Sequence, residues 1–205
     1  MLKLTKYNQM KFLFMRLITM ILFLIFCLQF SARGDDIKDF EIEGLSLGDS
    51  LLDRMTVDEI LEFDQGHYDD DSKFFETQLP VKTDIYDYLL FHVKNNDPRY
   101  KIYLIRGVNL VQSKSDCIKD KDIIVNEISK LFSNTSVREG SQKHYYYKNS
   151  TQYISQFDFK KGFVKVECMI MHNKDIKLYG DIPDTLEISI VSDEFRNWLN
   201  TLKLI

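Results

Sequence analysis

Two cysteines, Cys117 and Cys168, restrict what this chain can fold into more than any other feature, because a bond between them would tie two distant segments together. Whether such a bond can form depends on the redox compartment, and the amino terminus bears on that. Lys3, Lys6, Lys11 and Arg16 precede Leu17 to Phe30, a run of fourteen residues with no charge and almost nothing polar. Ser31-Ala32-Arg33-Gly34 follows, with Ala32 and Gly34 at the two small-residue positions that signal peptidase reads, and then the acidic Asp35-Asp36. This order predicts a secretory signal peptide over residues 1–34 and a single mature α+β domain over residues 35–205, periplasmic or secreted. A signal anchor is the alternative, but the run is shorter than the ~20 residues that span a bilayer and Arg16 interrupts any extension. No stable membrane anchor is therefore expected after cleavage. Cys27 leaves with the signal, and the bulky Phe26 beside it does not fit a lipoprotein acceptor site. The remaining pair, Cys117 and Cys168, is expected to form a structural disulfide. Two buried thiols acting as small hydrophobes are the alternative. No Cys-x-x-Cys is present to suggest redox work.

Composition narrows the partner classes. The whole chain carries 27 basic and 31 acidic residues. The first 34 residues hold five of the basic ones and no carboxylate, which leaves 22 against 31 in the mature part. A surface with that excess repels phosphate backbones, so no nucleic acid is expected. Residues 35–205 are long enough to bury a substantial core without a metal.

The patterning predicts one antiparallel sheet with helices packed on one face. Ile37 to Ile42 reads as a first strand. Ser46 and Thr56 sit at capping-box spacing ahead of two short helices. Gln65 to Lys73 reads as an exposed loop. Ile85 to Val93 and Tyr100 to Arg106, the latter extending to Val111, flank Asn95-Asn96-Asp97-Pro98 as an antiparallel hairpin, with Tyr100, Ile102 and Leu104 on one side. Asp116 to Phe132 is the clearest helix, capped by Ser115, with a stripe of Ile124, Ile128 and Leu131 flanked by Val125 and Phe132. Gln152 to Phe159 and Phe163 to Met171 form a second hairpin around Lys160-Lys161-Gly162. There Val164, Val166, Cys168 and Ile170 point one way and Lys165 and Glu167 the other. That register turns Cys168 toward the helix that carries Cys117. His172 to Thr185 reads as a long loop, Leu186 to Ile190 as a last strand, and Ser192 as the cap of a terminal helix with Phe195, Trp198, Leu199 and Leu202 on one side.

Catalytic constellations are scarce. The four histidines, His67, His92, His144 and His172, show no helical pairing and no His-Glu-x-x-His. His67 with Asp69, Asp70 and Asp71 lacks the alternation, glycine and terminal glutamate of a calcium loop, and reads as a solvated acidic stretch. His92 reads as a surface or satisfied core residue. Tyr145-Tyr146-Tyr147 reads as sheet packing, with presentation of a ring to a peptide or sugar as the functional alternative. Asn134 and Asn149 stand in glycosylation-type triplets. No nucleophile elbow, Walker loop or dinucleotide fingerprint appears, so no catalytic residue, metal or cofactor is assigned.

Phe40-Glu41-Ile42-Glu43-Gly44-Leu45-Ser46-Leu47-Gly48-Asp49-Ser50-Leu51-Leu52, the Tyr100 to Cys117 passage and Cys168 together resemble the uncharacterised exported proteins of small-genome marine alphaproteobacteria. The resemblance spans most of the chain and implies a periplasm, with no activity attached. Gly44 to Ile60 alone is similar to the opening of small outer-membrane assembly lipoproteins of the BamE type, without their lipobox cysteine or the Leu-Gly-x-Pro that follows their second helix. Two readings of function follow. One is a non-catalytic binding or assembly module for an envelope protein or a small ligand, in envelope maintenance. The other is a periplasmic hydrolase whose carboxylates are dispersed along the chain.

Overall fold

The computed structural model describes residues 36–64, 68, 72–79, 83, 85–132 and 135–202. The signal segment, His67, Asp69, Asp70, Asp71 and Asn134 lie outside them. Seven strands form one sheet in the order β1-β2-β3-β7-β6-β5-β4, and every neighbouring pair is antiparallel. The strands are β1 (Phe74–Leu79), β2 (Tyr88–Lys94), β3 (Ile102–Val111), β4 (Val137–Lys143), β5 (Thr151–Phe159), β6 (Gly162–Ile170) and β7 (Asp184–Ser192). Four α-helices accompany them among the described residues: α1 (Val57–Glu62), α2 (Lys114–Leu131), α3 (Asn173–Tyr179) and α4 (Asp193–Thr201). The fold is α+β. Among the described residues no helix is long and apolar enough to cross a membrane.

The main core lies under α2. Alternation turns Val164, Val166 and Cys168 of β6 and Leu186 and Ile190 of β7 to one face, where Val125 and Ile128 of the helix meet them. The helix starts two residues earlier than the pattern suggests, because Ser113 rather than Ser115 accepts the bond from the Asp116 amide. Its buried stripe runs through Cys117, Lys121, Val125 and Ile128. Leu131, expected on that stripe, is 73% exposed. Lys121 hid the true face: its stem is buried while its Nζ donates to Ser155 Oγ at 2.7 Å. Cys117 and Cys168 are joined by a disulfide with their Cα atoms 5.9 Å apart, pinning the first turn of α2 to β6.

Several short elements differ from their expected form. Ile37–Asp39 is a 3₁₀ turn capped by Asp36, not a strand. Ser46 caps no helix; its hydroxyl donates to the carbonyls of Lys38 and Phe40 and folds the amino-terminal strap on itself. Ser50 caps the 3₁₀ turn Leu51–Asp53, whereas Thr56 and Glu59 do form the reciprocal capping box of α1. His172 to Thr185 is not all loop: the His172 ring accepts from the Lys174 amide and starts α3. β1 and β4 had no strand signal. In β3 the register shifts so that His92 opposes Leu104 while Val93 opposes Ile102, leaving Tyr103 as an extra residue. This bulge sends Ile102 into the main core and Leu104 into a second cluster, where one face had been expected to hold both.

That second cluster, on the opposite face, is closed by α4. Phe195 packs with Phe74, Leu104, Phe163 and Val191, and Trp198 lies 5.1 Å from the Phe74 ring. Gly107 permits a close approach elsewhere in β3: a Cβ there would lie 2.4 Å from the Tyr86 ring.

The bridge closes a loop of 51 residues. Cys117→Ala should cost about 2 to 5 kcal/mol in denaturant unfolding. Thiol labelling of the denatured, unreduced chain should find neither Cys117 nor Cys168 reactive.

Candidate functional site

The face of the sheet opposite α2 carries polar residues that are buried. Glu167 is 2% exposed, Glu187 8%, Glu76 6% and His92 1%. The pleat sets them there: each alternates with a residue of the main core, as His92 does between Phe91 and Val93. Pairing then fixes their neighbours. Glu76 lies directly across from His92, Arg106 from Ser189, Ser189 from Lys165, and Glu187 from Glu167.

Two carboxylates opposite one another repel unless cations intervene, and here they do. Arg106 Nε lies 3.5 Å from Glu187 Oε2, and Lys165 Nζ 2.6 Å from Glu167 Oε1. The other oxygen of each glutamate is also taken: Glu187 Oε1 accepts from Thr185 Oγ1 at 2.8 Å, and Glu167 Oε2 from Gln152 Nε2 at 3.0 Å. At the neighbouring position His92 Nε2 is 3.2 Å from Glu76 Oε2 and 3.1 Å from the Tyr68 hydroxyl. Burial works against the charge on Arg106, but Glu187, Glu76 and Glu167 outweigh it and raise its pKa above the ordinary value. Burial raises the Tyr68 phenol well above its usual range, helped by Glu76, and raises that of Tyr88 to about 12, helped by Glu187. Burial lowers the pKa of His144, and Lys165, Arg106 and Lys148 add to that while Glu167 opposes it. The face is thus a network of paired charges with neutral phenols beside it.

The residues singled out from sequence are scattered. Cys117 and Cys168 meet. His92 is a core residue rather than a surface one, with its Nε2 facing Glu76 and Tyr68. Tyr145, Tyr146 and Tyr147 lie in the loop between β4 and β5 rather than in a strand, with Tyr145 45% and Tyr146 53% exposed. Lys148 sits 4.4 Å over the Tyr145 ring and His144 stacks on Tyr147. Asn149 does not offer its side chain as an acceptor triplet would: its Nδ2 donates to Asp175 Oδ1 at 2.7 Å. Among the described residues no group of three His, Cys, Asp or Glu is placed to hold a metal.

A serine–lysine pair, Ser155 and Lys121, does occur on the main-core side. Ser155 is fully buried, and its hydroxyl also donates to Glu139 Oε1 at 3.1 Å. A substrate carbonyl has no approach to it. None of the polar network was legible as a site, because Lys165 and Glu167 alternate with apolar residues as solvated side chains do.

Two outcomes follow from these charges. Arg106→Met leaves Glu187 without its cation and should destabilise the fold by roughly 3 kcal/mol, the low end for breaking a buried pair, since Arg106 is part exposed. Asp175 sets an acid limit. Burial opposes its ionisation, but four hydrogen bonds from Asn149 and Ser150 outweigh this and hold its pKa below the ordinary carboxylate value. A depressed folded-state pKa adds stability above the unfolded value and loses it as pH falls through the folded value. Thermal melts from pH 6 to pH 2 should therefore show a steeper acid loss for the native chain than for Asp175→Asn. In comparison with known proteins, no family model, no curated protein and no solved structure matches this chain.

Proposed function

We propose that this chain is a non-catalytic binding module that works outside the cytosol, periplasmic or secreted, and receives an envelope protein as a strand added along β4. One observation carries the reading. All seven residues of β4 are exposed, and its outer edge pairs with no strand among the described residues. Native sheets blunt such edges with proline, a bulge, a covering helix or charged side chains; β4 has Arg138, Glu139 and Lys143 but neither proline nor bulge. The β4–β5 register runs unbroken from Val137↔Phe157 to Lys143↔Thr151, so β4 stays straight along its length. An extended partner segment gains main-chain hydrogen bonds from such an edge, and alternate side chains set its specificity. Arg138 donates to Asp158 through two bonds of 2.7 and 2.8 Å, which tie β4 to β5.

The disulfide and the signal-like amino terminus support the location. The paired state of Glu76, Glu167 and Glu187 supports binding over hydrolysis, since a hydrolase needs a carboxylate that can give up or take a proton beside an open cleft. A role in envelope maintenance fits a small exported module of this kind.

The test places a photo-crosslinking residue at Gln142 on β4 and, separately, at Lys177 on α3, in cells that export the chain. A discrete adduct from Gln142 and none from Lys177 is expected. The purified partner should then slow amide exchange across Val137–Lys143 by at least tenfold. Equal adducts at both positions, or an unchanged exchange rate across β4, would rule the edge out as the docking surface.

A further inference from the structure

The turn between β4 and β5 and the short helix α3 are joined into one platform. Asp175 holds them together: its two oxygens accept four hydrogen bonds from Asn149 and Ser150, at 2.6 to 2.9 Å. The His172 amide donates to Ser150 Oγ at 3.0 Å and closes the same junction. The turn is also braced within itself, since the Tyr146 and Tyr147 amides both donate to His144 Nδ1 at 3.1 Å. Tyr147 then packs edge-on against Tyr179 at 5.3 Å. A surface tied at this many points exists before any partner arrives, which lowers the ordering cost of binding.

This platform presents apolar side chains to solvent. Leu178 is 71% exposed and Tyr179 50%, beside the exposed Tyr145 and Tyr146 of the turn. Helical spacing sets the arrangement on α3. Asp175 and Tyr179, four residues apart, share the line that meets the turn, and Lys174 and Leu178 share the neighbouring line. Lys148, Lys174 and Lys177 stand on the same two segments, all exposed, and none pairs with a carboxylate among the described residues. Of the two acids in these segments, Asp175 is buried and committed, and only Asp181 is exposed. In a chain whose acids outnumber its bases, this stretch is locally cationic.

We infer that the platform rests on an anionic lipid bilayer, with Leu178 in the outer acyl region, Tyr145 and Tyr179 at headgroup level, and Lys148, Lys174 and Lys177 among the lipid phosphates. A tyrosine has an apolar body and a polar tip, which suits the membrane–water boundary. A lysine lays its stem along apolar surface and keeps its ammonium among headgroups. Attraction to an anionic surface falls off within a Debye length, ~8 Å at physiological salt, so carboxylates elsewhere on the chain weigh little against these lysines. A glycan fits the platform poorly. Stacking on a sugar needs an open ring face, yet Lys148 covers one face of Tyr145, and the paired rings meet at 85° and 74° rather than forming one flat shelf. Leu178 offers a sugar no hydrogen bond. The contact is peripheral and adds no spanning segment. It uses no residue of β4, so it stands or falls apart from the edge-strand reading.

The exported protein, purified without detergent, is sedimented with vesicles of phosphatidylcholine containing about one-third phosphatidylglycerol, and with phosphatidylcholine alone. The anionic vesicles should bind it at least tenfold more tightly. Raising the salt from 20 to 300 mM should weaken that binding several-fold. The double variant Tyr145→Ser, Leu178→Ser should lose at least tenfold in affinity, and Lys148→Gln, Lys174→Gln should fall to the level of the neutral vesicles, both with unchanged melting temperatures. Leu131→Ser is the control: Leu131 is as exposed as Leu178 but lies at the end of α2 where Phe132 packs on Phe159, at the opposite end of β5 from the platform. It should bind as the native chain does. Tyr145→Trp should gain an emission that brominated acyl chains quench, beyond any quenching of the native Trp198. Absence of binding to anionic vesicles, with or without retention on isolated peptidoglycan, would overturn the assignment. So would equal binding to both vesicle types, unchanged affinity in either double variant, or an equal loss in Leu131→Ser.

Discussion

The whole sheet depends on β7. The chain builds one three-stranded meander from β1 to β3 and another from β4 to β6, and no strand pairing joins them until β7 slots between β3 and β6. Its ladders run along both sides, from Leu104↔Val191 to Val111↔Asp184 and from Gly162↔Ser192 to Met169↔Thr185. Both faces of β7 are also committed. Leu186 and Ile190 face the main core, Glu187 faces the ion-pair network, and Val191 faces the aromatic cluster under α4. Every structural layer of the molecule therefore meets at one strand close to the carboxyl terminus. Strand pairings this distant in sequence form slowly and must be held by strong side-chain packing once made.

The two faces are stabilised by different physics. Under α2 the contribution is apolar burial, and Lys121 is a charge admitted there because its stem is hydrocarbon and its head reaches Ser155 and Asp122. The opposite face owes little to apolar area beneath the network. There the cost of removing Glu167, Glu187 and Arg106 from water is offset by mutual pairing, and such arrangements specify geometry more than they add stability. Because alternate residues of β6 and β7 serve the two faces, a one-residue slip would set carboxylates against the helix. The charges thus act as a register lock for a sheet whose apolar residues alone would tolerate sliding.

Much of this architecture was legible and the reasons are local. Val164, Val166 and Cys168 alternate with Lys165 and Glu167, and that pattern alone aimed Cys168 toward the helix. Thr56 and Glu59 carry their capping box in the sequence itself. Where the pattern failed, tertiary context had overridden it. β4 has no apolar alternation because neither of its faces is buried. Gly180 and Pro183 masked the short α3, whose cap is the unconventional His172. Tyr103 shifts the phase of β3, which no count of alternating residues reveals. The polar network was the least visible part, since a buried glutamate with partners and a solvated one look alike in sequence.

The disulfide has a consequence for how β7 finds its place. Val111 at the end of β3 and Asp184 at the start of β7 are separated by roughly 70 residues along the backbone, and closing a loop of that length is entropically costly. Cys117 comes soon after Val111, and Cys168 comes shortly before Asp184. Once they are joined, the shortest covalent path between the two strands falls to roughly 20 residues, which lowers the closure cost by about 1 kcal/mol. The bond forms between segments that both precede β7, so it shortens the search before the last strand is needed. In an oxidising compartment the chain would dock β7 against a partly assembled template. In a reducing one it would have to gather both meanders across the full loop.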